Sequence, residues 1–148
     1  MLRDLARPLF ALLVLLATAP LLAGDRVQET DTHRIHYNVI QTSFLPEEVA
    51  RTYGITRSDR RVLLNIAVHR KEADADAQPQ AVEAEIKANA VNINGQLKRF
   101  DMEAIHEDEA IYYIGTARIN EGETLDFDLE VRPADAEEWT QIGFRRQY

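Results

Sequence analysis

The chain has 148 residues, of which 45% are hydrophobic and 28% charged, and it contains no cysteine. This length and composition are typical of one globular domain and exclude long disorder, collagen-like repeats and multidomain organisation. The lack of cysteine excludes disulfides, thiolate zinc sites and a cysteine nucleophile. Because 25 acidic residues outweigh 17 basic ones, general binding to nucleic acid or to an anionic membrane is not expected.

The first 23 residues have the pattern of a secretory signal peptide. Two arginines form a basic start, an apolar run follows, and small residues stand at Ala23 and Gly24. The run is shorter than the ~20 apolar residues of a spanning helix, so an uncleaved membrane anchor is the weaker alternative. We predict cleavage after Ala23, with Gly24 as the alternative, and release into the periplasm or beyond. Since there is no cysteine, no lipid anchor is expected.

Residues 24–148 are predicted to form a single domain made mainly of β-strands. A two-residue alternation of apolar and polar side chains indicates strands over residues 33–44, 61–70, 81–91, 96–106, 110–118, 124–132 and 139–148. In such a strand one face is buried and the other is wet. For residues 61–70, this predicts a wet face formed by Leu63, Asn65, Ala67 and His69.

Residues 45–54 interrupt the strands and predict one short helix. Pro46 suits the first helical position, and Gly54 can adopt the left-handed conformation that ends a helix. Val49 and Tyr53 share a helix face that can seal one end of the strand layers. About seven antiparallel strands, with this helix after the first one, predict an immunoglobulin-like β-sandwich with a filled interior. A flattened barrel is the alternative.

The sequence carries no reaction-specific motif, and no metal or cofactor is predicted. Ser43 and Ser58 lack the surroundings of a nucleophile, and there is no glycine-rich phosphate loop. His33 and His36, three residues apart on a strand, point to opposite faces and do not form a ligand pair. An acidic ladder on one predicted strand face is more typical of a solvated surface than of a calcium site; it consists of Asp126, Asp128 and Glu130.

A basic cluster in this acidic protein is the strongest candidate for a binding site. It consists of four arginines within eleven residues, with one tyrosine among them: Arg51, Tyr53, Arg57, Arg60 and Arg61. Arginine binds carboxylate or phosphate with two parallel hydrogen bonds, and tyrosine adds flat contact area. The alternative is that these arginines pair with the surplus carboxylates of the protein itself.

Three functions are compatible with these observations. The first is a non-catalytic periplasmic binding or assembly module for an unknown protein or a small anionic ligand, with no nucleic acid or membrane partner. The second is a small periplasmic enzyme that uses carboxylates such as Glu109 together with His106. The third is a calcium-stabilised structural domain. We favour the first, because His106 and Glu109 are predicted to lie at a turn, where water reduces pKa differences.

Several residue runs resemble exported bacterial proteins of domain-of-unknown-function family 4426. The matching runs cover nearly the whole chain after the leader: residues 35–38, 42–50, 53–58, 65–68, 109–113 and 144–146, which read IHYN, TSFLPEEVA, YGITRS, NIAV, EAIYY and FRR. The resemblance implies export and a single small domain. It implies no catalytic residues, since the family carries no established activity.

Overall fold

The computed structural model describes residues 26–148. The strands in this range are β1 (Arg26–Glu29), β2 (His33–Gln41), β3 (Arg61–Arg70), β4 (Gln80–Ala81), β5 (Ala84–Asn92), β6 (Leu97–Phe100), β7 (Glu103–Glu107), β8 (Ala110–Arg118), β9 (Thr124–Pro133) and β10 (Thr140–Gln147). A 3-10 turn (Thr42–Phe44) and helix α1 (Glu47–Thr52) follow β2. The predicted signal peptide, residues 1–23, lies outside the described residues.

The strands form two antiparallel sheets that pack face to face. The six-stranded sheet has the order β1-β2-β3-β8-β7, with β4 added beside β3, and the four-stranded sheet has the order β10-β9-β5-β6. The predicted all-β sandwich is therefore confirmed, and the alternative of a flattened barrel is not adopted. Within residues 26–148, no helix is long and apolar enough to cross a membrane.

The core lies between the sheets and follows the predicted alternation. Strand β9 buries Leu125, Phe127, Leu129 and Val131, while the residues between them face outward. Each such large apolar side chain contributes roughly 1.5–3 kcal/mol to stability when it is fully buried. The best buried members of the core between the sheets, with at most 1% of their surface exposed, are Ile35, Val39, Val62, Leu64, Ile66, Val68, Ala90, Leu125, Leu129 and Val131.

Strand β3 departs from the prediction because both of its faces are buried. Leu63 and Ala67, on the face predicted to be wet, are each only 7% exposed. Leu63 packs with Val49 and Ala50 of α1, so the helix lies on the outer face of the six-stranded sheet. The prediction that the helix seals an end of the sandwich is therefore wrong. Gly54 has a φ of 64° after the helix, as predicted.

The predicted strand 96–106 is two strands, which belong to different sheets. Strand β6 pairs with β5 in the four-stranded sheet, whereas β7 pairs with β8 in the six-stranded sheet. The chain crosses between the sheets at Asp101 and Met102. Together with the short edge strands β1 and β4, this crossing gives the described range ten strands instead of about seven. The helix consequently follows the second strand, and β2 ends at Gln41, where the 3-10 turn begins.

Candidate functional site

The residues predicted to bind a partner lie on α1 and in the loop between α1 and β3. Arg51 belongs to the helix and is paired with Glu47 one turn earlier, with 3.1 Å between Nη2 and Oε1. Their side chains are 76% and 74% exposed, so this pair contributes little to stability. The charge of Arg51 is thus matched within its own helix.

Tyr53 is directed toward the sheet rather than toward solvent. Its hydroxyl donates a hydrogen bond to the Glu107 carboxylate on β7, and its ring packs against the small apolar cluster under α1. Burial and the adjacent Glu107 carboxylate raise the pKa of the Tyr53 hydroxyl well above its usual range. Tyr53 therefore ties the end of the helix to the outer edge of the six-stranded sheet.

The loop that carries the next arginines is held in place by buried Thr42. Its Oγ1 donates to the Thr56 carbonyl at 2.8 Å and accepts the backbone N–H of Ser58 at 2.9 Å. Further along the loop, the N–H of Ile119 donates to the Arg60 carbonyl at 3.0 Å. These bonds fix the backbone of the loop against the ends of β2 and β8, so its side chains project from a rigid support.

A fourth arginine joins the three that lie near the start of β3. Arg61, the first residue of β3, lies directly opposite Arg118, the last residue of β8. Directly opposite residues of antiparallel strands point to the same face, and like charges in this position destabilise the sheet. Arg57 and Arg60 precede this pair in the loop. Arg57, Arg60, Arg61 and Arg118 are named the arginine patch.

The arginine patch has no carboxylate partner among residues 26–148. Arg57 donates to the Ser43 carbonyl at 2.9 Å, and Arg61 contacts the Thr116 hydroxyl at 3.4 Å. The Arg60 guanidinium forms no hydrogen bond or ion pair with any residue among 26–148. Arginines elsewhere do pair with acids, as in Arg34 with Glu29, Arg70 with Asp135, Arg132 with Glu85 and Arg145 with Asp126. Although acidic residues outnumber basic ones, the positive charges of the arginine patch are therefore not compensated by a carboxylate among the described residues.

A cleft of about 460 Å³ opens at the sandwich edge between β7 and the start of β5. His106 and Glu83 line it, with 3.2 Å between Nε2 and Oε1, and their side chains are 56% and 66% exposed. The Tyr113 hydroxyl accepts the backbone N–H of Ala84 at 2.8 Å. Glu109, the carboxylate proposed from the sequence to act with His106, lies outside the cleft lining. This recess is therefore an open edge with solvated titratable groups.

The acidic ladder on β9 has a separate partner for each carboxylate. Asp126 is bound by two nitrogens of Arg145, at 2.6 and 2.8 Å, and these hydrogen bonds lower its pKa. Asp128 accepts a hydrogen bond from an amide side chain on β10, and Glu130 lies 3.6 Å from a lysine nitrogen on β5. Because each carboxylate is paired individually, the ladder does not present a set of converging oxygens.

Arg118 is the member of the arginine patch that sequence reasoning missed. A signal was present, because the predicted strand 110–118 ends on this arginine and the predicted strand 61–70 begins on Arg61. Antiparallel pairing of these two strands would bring both side chains to one corner. Which strands are neighbours, however, depends on packing across the whole sandwich.

Comparisons with known proteins identify the family and support the fold. The model of DUF4426, described as a domain of unknown function, matches residues 27–148. A DUF4426 family protein from Pseudomonas aeruginosa PAO1 is similar in structure, with 26% identity and a TM-score of 0.69 over 84% of this chain and 94% of that chain. The resemblance inferred from the residue runs is therefore confirmed. No curated protein sequence matches the chain.

Two structures of FetP from uropathogenic Escherichia coli strain F11 share the fold at 10% identity. One is the protein as isolated after recombinant expression in the periplasm, with a TM-score of 0.58 over 86% of this chain and 95% of that chain. The other is a copper-bound variant, with a TM-score of 0.59 over 85% and 95%. At this identity the likeness concerns the fold alone.

Proposed function

Since this chain belongs to the DUF4426 family, whose description carries no activity, we propose its function from its own surface. It is a non-catalytic exported binding or assembly module, and its arginine patch holds the carboxylate or phosphate groups of an anionic partner. The observation that carries this proposal is that Arg57, Arg60, Arg61 and Arg118 have no carboxylate partner among residues 26–148, although the protein is strongly acidic.

The chemistry of the arginine patch supports an anionic partner. A guanidinium presents its donors in a planar fork that matches carboxylate and phosphate oxygens. The opposed pair of Arg61 and Arg118 repels itself in the free protein, and a bound anion would relieve that repulsion. The supporting loop is fixed by Thr42, so little ordering is required on binding.

Export to the periplasm is part of the proposal. It is supported by the basic start, the apolar run and the small residues at Ala23 and Gly24. The similar fold of FetP, a protein that has been expressed in the periplasm, is compatible with this location. The site residues predicted from the sequence remain part of the proposal: Arg57, Arg60 and Arg61 as direct contacts, with Arg51 and Tyr53 flanking them.

A double variant that carries both Arg60→Glu and Arg118→Glu reverses two charges of the arginine patch and tests the proposal. Arg60→Glu and Arg118→Glu alter exposed side chains that hydrogen-bond to no residue in 26–148, so the fold should be preserved. Arg57→Glu is less suitable alone, because it also removes the bond to Ser43. The wild-type protein and the double variant are used as baits in a periplasmic extract. We expect the double variant to lose captured partner at least tenfold, and the wild-type capture to weaken with salt.

Arg99→Glu is the matched control, because Arg99 is exposed on β6 and also lacks a carboxylate partner among the described residues. It should capture the partner as the wild type does. Competition with pyrophosphate or with an oligo-glutamate peptide then distinguishes phosphate from carboxylate recognition. Equal capture by the wild type and the double variant, with both folded by circular dichroism, would refute the proposal.

The alternative of a carboxylate and histidine enzyme has less support. His106 and Glu83 are more than half exposed in the cleft, so water screens the electrostatic interaction between them. The binding proposal is therefore preferred over catalysis at this edge.

A further inference from the structure

A second polar cluster lies on the outer face of the six-stranded sheet, on β2 and β3. Asn38 is directly opposite Asn65, and His36 is directly opposite Ala67. His69 follows Ala67 on the same face of β3. The small side chain of Ala67 is therefore surrounded by two imidazoles and two amides, which are named the histidine–asparagine cluster: His36, Asn38, Asn65 and His69.

Three polar atoms of this cluster are buried without a hydrogen-bond partner among residues 26–148. They are Oδ1 of Asn38, Oδ1 of Asn65 and Nδ1 of His69. Buried polar atoms in folded proteins are nearly always hydrogen-bonded, and each exception calls for an explanation. All three can act as electron-pair donors when the imidazole is neutral.

The two imidazole rings have a spacing that suits a shared metal ion. Their centroids are 5.2 Å apart, with 78° between the ring planes. Metal–nitrogen bonds of about 2 Å at tetrahedral angles place the centroids of two coordinated imidazoles about 5 Å apart. An edge-to-face aromatic contact has a similar spacing, but it does not account for the buried, unpartnered atoms beside it.

We propose that the histidine–asparagine cluster is a binding site for a divalent transition-metal ion, with His36 and His69 as imidazole ligands and the amide oxygens of Asn38 and Asn65 beside them. Imidazole favours Cu²⁺, Zn²⁺ and Ni²⁺, whereas Ca²⁺ and Mg²⁺ require an oxygen cage. No three His, Asp or Glu side chains among residues 26–148 are grouped to hold a metal. The site therefore depends on two histidines and on neutral oxygens.

The two cations that lie next to this site are both paired with one carboxylate. Arg34, which lies directly opposite His69, is bound through its Nε to Glu29 at 3.1 Å. Lys71, which follows the last residue of β3, is also paired with Glu29, at 3.1 Å. Both cations next to the cluster are thus held by the Glu29 carboxylate, which offsets one of their two positive charges. The site is separate from the arginine patch and does not depend on the function proposed for it.

Titration of the purified protein with Cu²⁺ tests this site, because Cu²⁺ binds most strongly to nitrogen ligands among the divalent ions of its row. We expect one Cu²⁺ per chain by equilibrium dialysis, with hyperfine coupling to two nitrogens in electron paramagnetic resonance. His36→Ala and His69→Ala should each weaken binding at least tenfold. Asn38→Asp, which places a carboxylate beside the imidazoles, should tighten it.

His106→Ala is the matched control, since it removes an exposed histidine at the cleft and should leave Cu²⁺ binding unchanged. Because His69→Ala could disturb the fold, the wild-type protein is also examined by nuclear magnetic resonance. Substoichiometric Cu²⁺ should broaden the ring signals of His36 and His69 first. Absence of stoichiometric binding, binding that survives both variants, or equal loss in His106→Ala would each overturn the proposal.

Discussion

At the scale of single residues, Asp135 shows how one carboxylate joins distant segments. Its Oδ1 lies 2.8 Å from Nε2 of His33 on β2, and its Oδ2 lies 2.6 Å from Nη2 of Arg70 on β3. The other ring nitrogen of His33 lies 2.8 Å from the Thr32 hydroxyl. Burial would raise the pKa of Asp135, but the hydrogen bonds from Arg70 and His33 outweigh it and lower the pKa.

Asp135→Asn should therefore destabilise the protein in a pH-dependent manner. Because the pKa is lowered in the folded state, the ionised carboxylate stabilises the fold fully above about pH 4. That contribution is lost as the pH falls toward the lowered folded-state pKa. We expect a loss of about 2 kcal/mol at pH 7 and a much smaller difference near pH 3. Thermal unfolding followed by circular dichroism from pH 3 to 8 measures it.

Asp128→Asn provides the control, because Asp128 is an exposed residue of β9 with one amide partner. It should unfold at nearly the wild-type temperature throughout this range. A difference between wild type and Asp135→Asn that stays constant down to pH 3 would argue against the role of the carboxylate charge.

At the scale of elements, the connection from β6 to β7 depends on Gly115 of β8. A Cβ atom at this position would lie 2.7 Å from Sδ of Met102 and 3.0 Å from the backbone oxygen of Asp101. These residues form the crossing segment between the sheets. The close approach explains why β8 carries glycine here: a side chain would push the crossing segment away from the core.

Gly115→Ala should therefore destabilise the fold. The Met102 side chain can move, but the Asp101 backbone cannot without disturbing the crossing, and such overpacking costs about 1–3 kcal/mol. Urea unfolding measures the loss of free energy. Gly143→Ala is the comparison, since its Cβ would meet only the Phe127 carbonyl at an ordinary 3.8 Å. Equal stability of the two variants would show that the crossing segment moves to accept the added methyl group without a cost in free energy.

At the scale of the whole molecule, a buried polar network joins the two sheets at one end. The carboxylate of Glu123 lies 3.0 Å from Nζ of Lys98, and their side chains are only 6% and 15% exposed. Glu123 also accepts hydrogen bonds from the Asn92 side chain and the Asn120 backbone, both at 2.8 Å. Lys98 belongs to the four-stranded sheet and donates to the Arg118 carbonyl of the six-stranded sheet at 2.7 Å.

Glu123→Gln should therefore weaken the whole sandwich. Burial tends to raise the pKa of Glu123, but the bonds from Asn92, Asn120 and Lys98 lower it, so the ion is present at neutral pH. Its loss leaves Lys98 largely buried without a counter-ion, at a cost of about 3 kcal/mol. Glu130→Gln, in an exposed pair, should cost under about 1 kcal/mol. If the urea midpoints shift equally in both variants, the buried Glu123 carboxylate does not stabilise the sandwich more than the exposed one.

The faces of the strands could be read from the sequence, because alternation is a local property of an extended chain. Leu125, Phe127 and Leu129 had to share one face whatever lay beside them, and the structure buries all three. The prediction of a single strand over residues 96–106 was wrong because alternation, as a local property, does not show where the chain passes from one sheet to the other. The alternation of this segment continues through Asp101 and Met102, and no glycine or proline marks the crossing between sheets.

Strand order and register were decided by tertiary structure alone. Whether Arg61 meets Arg118, or His36 meets His69, depends on which strands are neighbours and on how they are aligned. Those choices minimise the free energy of the whole core, to which residues far apart in the chain contribute. The sequence by itself determined the class of fold, the inward faces and the family. Packing of the two sheets determined which outward side chains meet, and thereby where both proposed sites lie.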